Sequence, residues 1–157
     1  MKLTKKLISP LLIISFAVVL RLIPHLPNFT PVAAIALFGG VYLNKKYALV
    51  VPIMILFLSD IFLGFHNTMV FVYGSFLITG VIGLYLRKRK NVKNIFFASV
   101  SSSVLFFIIT NFGVWFATTL YTKDLTGLIN SYVMAIPFFR NTILGDLVYT
   151  GLFFGSY

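Results

Sequence analysis

Ten of the thirteen basic residues fall into three short clusters, Lys2/Lys5/Lys6, Lys45/Lys46 and Arg87/Lys88/Arg89/Lys90/Lys93, with long apolar stretches between and after them. This is the pattern of a chain that crosses a membrane several times, because short cytoplasmic loops retain Lys and Arg. All three clusters can face the cytoplasm only if two spans separate each from the next. The sequence meets that condition. Spans are expected over about 7–23 and 31–44, then 47–64 and 69–86, then 95–120 and 141–157. The expected fold is an all-α bundle of six transmembrane helices with both termini cytoplasmic.

Composition agrees. The chain is 59% hydrophobic and 10% charged, whereas soluble domains carry about 25% charged residues. Its apolar surface exceeds what one water-soluble core can hide. The net charge of +10 would suggest a nucleic-acid partner in a soluble protein; here topology accounts for it, and no nucleic-acid partner is expected. The 157 residues hold no Pro/Ser-rich or low-complexity linker, so a single transmembrane domain over residues 1–157 is expected. Arg21 interrupts the apolar run after the basic N-terminus and no small-x-small cleavage site follows, so the first segment reads as a retained helix. Cysteine is absent, which excludes disulfides and thiolate chemistry.

The second span is short: 14 residues cover roughly 21 Å of a hydrocarbon core about 30 Å thick. It is expected to be half-buried, re-entrant or broken. Pro24, Pro27 and Pro31 prevent continuous helix through Asn28, and Gly39-Gly40 loosens the other end. The segment Pro24 to Pro31 then either walls a cavity or forms an ordinary outer loop.

Ionisable groups inside spans are costly and face the bundle interior. Asp60, Asp146, Arg21, Asn111 and Trp115 all fall in the outer third of the expected spans; Asn111 and Trp115, four apart, share a helix face. These are candidate solute-binding residues, with Asn28, His66, Arg140 and Asn141 around them. Asp60 and Asp146 would meet a cationic or hydroxyl-bearing group, and Trp115 would stack on a ring. The plainer alternative is that arginine and aspartate pair only to neutralise buried charge, and that Trp115 belongs to an interfacial belt. Small residues one turn apart, in Gly151-x-x-x-Gly155, Ala36-x-x-x-Gly40, Ser75-x-x-x-Thr79 and Ser99-x-x-x-Ser103, are expected packing seams.

No enzymatic activity is expected. Ile143-Leu144-Gly145-Asp146 lacks the first glycine of the Gly-x-Gly-Asp signature of intramembrane aspartyl proteases. There is no Gly-x-Ser-x-Gly and no Walker motif. The spacing of the aspartates and histidines fits no metal-ligand pattern, and no cofactor is expected.

Pro27-Asn28-Phe29-Thr30-Pro31, Ser59-Asp60 with Gly64-Phe65-His66, Asn111-Phe112-x-x-Trp115, and Ala135-x-Pro137-Phe138-Phe139-x-Asn141-Thr142-x-x-Gly145-Asp146 resemble a family of small uncharacterised bacterial membrane proteins described only as candidate transporters. More distantly, six helices, small size and a polar cluster near the outer leaflet are similar to the substrate-binding S components of energy-coupling factor (ECF) transporters. That resemblance implies a multi-pass protein of the bacterial inner membrane that captures a small, vitamin-like solute from outside. It also implies a coupling protein with two ATPases as partners. The Ala-x-x-x-Ala pattern with which many S components dock on that partner is missing from residues 7–23; Ala33/Ala36/Gly40 offers another docking face. Two alternatives stand beside uptake: a non-transporting assembly or packing subunit, and an ion-coupled carrier.

Overall fold

The computed structural model describes the backbone of residues 2–157 and the side chains of residues 11–157. The Lys2/Lys5/Lys6 side chains lie outside the described residues. Seven helices and no strand make up that part: α1 Lys2–Leu22, α2 Val32–Tyr42, α3 Lys45–Leu63, α4 Met69–Leu86, α5 Val92–Ala117, α6 Leu125–Val133 and α7 Ile136–Gly155. Three of them, α3, α4 and α5, are long and apolar enough to cross a membrane, and Leu11–Leu22 and Val32–Tyr42 are shorter apolar helices.

Helix covers each of the six expected apolar stretches, with two differences. The α7 helix starts at Ile136 instead of 141, because Pro137 occupies its first turn, where a missing N–H costs nothing. The α6 helix was not expected at all. Asp124 caps it by accepting a hydrogen bond from the Gly127 N–H at 2.7 Å, a local signal that outweighs the low hydropathy of the stretch.

The interior mixes apolar side chains such as Ile35, Leu37, Ile55 and Leu56 with small hydroxyl residues. Its buried positions include Ser59, Ser75, Thr79, Ser99, Ser102, Ser103, Thr142 and Thr150, while large apolar groups such as Phe62, Val70, Phe97 and Phe116 point outward. Apolar solvent explains the arrangement: lipid tails gain nothing by excluding leucine, so helices are held by close approach and by hydroxyls that bond inward. Most of these hydroxyls donate to a carbonyl three or four residues back in their own helix, as Ser102 does to Ala98 at 2.8 Å and Thr79 to Ser75 at 3.0 Å.

The α2 helix occupies the centre, packed against α3, α4, α5 and α7. Nine of its 11 residues are buried, which fits a helix that is apolar all round. The second apolar helix is short, as expected. At 1.5 Å per residue α2 is only about 16 Å long, and neighbouring helices, not lipid, cover its flanks. Its burial also removes Ala33, Ala36 and Gly40 as a docking face for a partner.

The C-terminal end of α2 is locked. A Cβ on Gly40 would stand 2.5 Å from the Gly83 Cα, and one on Gly83 would stand 2.5 Å from the Leu37 carbonyl oxygen, so α2 and α4 touch backbone to backbone. Arg87, at the end of α4, then closes that end: its Nε donates to the Gly40 carbonyl at 3.1 Å and its Nη2 to the same carbonyl at 2.7 Å and to Leu43 at 2.5 Å. A guanidinium is well suited to the unpaired carbonyls and partial negative charge of a helix C-terminus. Lys90 sits over the Tyr42 ring at 4.7 Å and Tyr157 packs on the same ring at 4.1 Å, which brings the C-terminal residue to this basic end.

Of the expected seams, Ala36/Gly40, Ser75/Thr79 and Ser99/Ser103 are buried. Gly151 and Gly155 are not a seam: both are exposed, and a Cβ on either would meet nothing within 4 Å.

Candidate functional site

Because α2 begins only at Val32, the bundle has no central helix at the end opposite Arg87. The chain enters that space through the segment 23–31, whose prolines forbid helix and whose Asn28 adopts a left-handed φ of 63°. A short polar side chain tolerates that conformation better than most. On the other side, Gly64 ends α3 with φ 97° and turns the chain toward His66 and Thr68, whose side chains bond each other at 2.8 Å.

The resulting cavity has a volume of about 290 Å³. Its wall combines Arg21 from α1, His25, Asn28 and Thr30 from the irregular segment, Ala33 from α2, His66 from the α3–α4 loop, Thr79 from α4, and Thr142 and Asp146 from α7, with Val72, Phe76 and Phe106 as apolar surface. A second cavity of about 290 Å³ includes Asn28, Thr110, Asn111, Phe138, Phe139 and Thr142 in its lining. Asn28, Val72, Phe106 and Thr142 border both, so the two are lobes of one irregular pocket. Each lobe is near the lower limit of small-molecule sites, about 300 Å³, and mixes apolar walls with few polar groups as such sites do.

The N-terminal turn of α2 has no side-chain cap, since Pro31 precedes it. Ala33 at that turn borders the first lobe. The free N–H groups of the turn therefore lie beside the cavity, and the helix end contributes a partial positive charge there.

The two aspartates hold different positions. Asp60 is buried and doubly engaged: Oδ1 accepts from Arg21 Nη1 at 3.0 Å and Oδ2 from the Tyr73 hydroxyl at 2.7 Å. Arg21 also donates to the Ser59 hydroxyl. Asp60 does not border either lobe and acts from behind Arg21. Asp146 borders the first lobe directly, is equally buried, and receives one hydrogen bond, from Ser103 at 2.6 Å.

Thus Arg21, Asn28, His66 and Asp146 meet at the first lobe, and Asn111 at the second. Four other candidates border neither lobe: Asp60, which stands behind Arg21, and Trp115, Arg140 and Asn141. Trp115 stands in the last turn of α5, past the lobes: its indole N–H donates to the Thr122 carbonyl at 2.9 Å and its ring lies under Lys123 at 5.8 Å. It fastens the α5–α6 connection and borders neither lobe. Arg140 and Asn141 border neither lobe. Successive helix residues advance about 100°, so Thr142 and Asp146, four apart, share the cavity face while Arg140 is turned about 200° away. Arg140 is exposed and, among the described residues, makes no ion pair.

Sequence reasoning passed over Thr30, Thr79, Phe106 and Thr142 as cavity residues, and Ser103 as the partner of Asp146. Thr79 and Ser103 were visible as half of a small-residue pair. The helix contact and the polar group are the same atoms, and spacing alone reports only the contact.

No curated protein and no solved structure matches the chain. The family that does match covers residues 1–157, from the first proline-rich segment to the Asp146 helix, and the chain accordingly belongs to DUF6580, a family of unknown function.

Proposed function

We propose that this chain is a six-span protein of the bacterial inner membrane that binds a small solute in the two-lobed cavity and mediates its uptake. The observation that carries the reading is the gap above α2: a cavity of apolar walls with a few polar groups, Arg21 and Asp146 among them, at the end of the bundle opposite the one where Arg87 caps α2. Lys45, Lys46 and the Arg87 to Lys93 run gather at the closed end, and the positive-inside rule then turns that end to the cytoplasm and the cavity to the outside. Tyr157 beside Tyr42 supports a cytoplasmic C-terminus, and the C-terminal end of α1 at Asp60 supports an N-terminus on the same side. In this arrangement α6 lies along the outer rim. A partner that supplies energy, such as an ECF-type coupling protein with its ATPases, would have to dock on α1 or another outer face, since α2 is inaccessible.

The test is mass spectrometry of small molecules released from gently purified protein, paired with thermal unfolding. A co-purifying solute that raises Tm in the parent protein and fails to do so in Ala33→Phe, which fills the first lobe, supports the reading. A protein that carries no solute, and whose lipid and detergent profile is unchanged by Ala33→Phe, speaks against it.

One observation favours a second reading, a non-transporting packing subunit. Arg21, Asp60, Ser59 and Tyr73 satisfy one another and tie α1, α3 and α4 together. Removing one member of such a buried pair costs about 3 kcal/mol or more. If stability loss were the sole effect of Asp60→Asn and of every cavity substitution, the packing role would account for the whole cluster.

A further inference from the structure

We propose that Asp146 is the counter-charge for a positively charged, ammonium-type group on the solute; this rests on the cavity being a solute site. The first lobe contains one carboxyl group that has no basic partner among the described residues. Arg21 is the only Lys or Arg on the first lobe, and its charge is matched at 3.0 Å by Asp60. Asp146 has no Lys, Arg or His within salt-bridge distance among the described residues. Its Oδ2 takes the Ser103 hydroxyl at 2.6 Å. Its Oδ1 has no protein donor among the described residues, yet no side-chain oxygen or nitrogen there is both sealed from solvent and unpartnered, so Oδ1 opens on the cavity. His25 and His66 stand at the solvent-exposed rim, where water and salt screen any charge they carry. The nearby N-terminal turn of α2 contributes about half a positive charge, less than the full unit charge of an ionised carboxylate. A carboxylate with one hydroxyl donor inside an apolar bundle gains most from a cation that brings its own N–H donors. Phe76 and Phe106, on the same wall, suit the apolar remainder of such a solute and can flank a cation with their ring faces.

The experiment uses three probes that share one ring and differ in charge at pH 7: benzylammonium, benzyl alcohol and benzoate. Each is titrated against the full chain in lipid nanodiscs, with affinity read by calorimetry and by the shift in Tm. The proposal expects benzylammonium to bind at least about tenfold more tightly than either analogue, to lose at least about tenfold in Asp146→Asn, and to keep most of its affinity in Asp146→Glu. Should Asp146→Asn fail to fold, the ranking of the three probes on the unaltered protein decides alone. If benzyl alcohol or benzoate equals benzylammonium, and Ala33→Phe abolishes that binding, the cation assignment is overturned while the solute site stands. If none of the three binds, both are overturned.

Discussion

The two ends of α2 differ in how tightly they are packed, and the difference sets the cavity at one of them. At the C-terminal end the backbones of α2 and α4 touch through Gly40 and Gly83, and Arg87 satisfies the last carbonyls. At the N-terminal end there is no side-chain cap, and a cavity is walled by side chains from seven other parts of the chain. One end is built for rigidity and the other for access. A short helix that fills half the depth of a bundle makes both possible at once.

The contrast can be broken most sharply at the glycine crossing. Gly83→Leu places a side chain where the Leu37 carbonyl already lies, and α2 and α4 must separate; a loss of about 3 kcal/mol or more is expected, seen as a collapse of the thermal transition in detergent. Arg87→Ala should cost about 2 kcal/mol through the lost charge-assisted bonds to Gly40 and Leu43. Arg87→Lys should recover only part of this, because an ammonium lacks the planar fork. At the open end Ala33→Leu should change stability by less than about 1 kcal/mol, since the added atoms enter a void instead of displacing packed ones, yet it should abolish any solute-induced rise in Tm. Equal stability losses at Ala33 and Arg87 would erase the distinction between the ends.

The smallest effect is expected at the rim. The N–H of Gly127, and after it the Thr122 hydroxyl, hold the Asp124 carboxyl below its ordinary value of 3.8. A depressed folded value means that the cap stabilises α6 above the ordinary carboxylate range and is lost as pH falls through the lowered value. Asn accepts the same backbone bond without titrating, so Asp124→Asn should flatten the acid dependence of amide exchange in α6 while leaving its protection near neutrality unchanged. No change in the acid limb would show that this cap does not anchor the helix.

Much of the fold was legible because hydropathy reports depth directly. The expected span 69–86 coincides with α4, and those over 47–64 and 95–120 differ from α3 and α5 by a few residues at each end. Hydropathy is silent on neighbours, however. It marked the second span as short but could not tell whether lipid or protein would surround it; that depended on Gly80 and Gly83, some 40 residues further on. The Arg87 cluster was legible as a topology signal, and the use of one of its members as a helix cap was not, since the partner carbonyls belong to a distant segment. For the site, depth matching selected Arg21, Asn111 and Asp146, which border the lobes, and also Asp60 and Trp115, which do not. Height along a helix was readable in the sequence; azimuth was legible only relative to residues of the same helix, as with Asn111 and Trp115, and that shared face did not bring Trp115 to the lobe that Asn111 borders.

The shortness of α2 has a consequence for how the protein is made. A segment of 11 residues is too brief to partition stably into the bilayer as it leaves the ribosome, and only Leu43 and Asn44 separate it from α3. If the chain inserts into a membrane, α2 enters with its neighbour and is not fully surrounded until α4, α5 and α7, all later in the sequence, are in place.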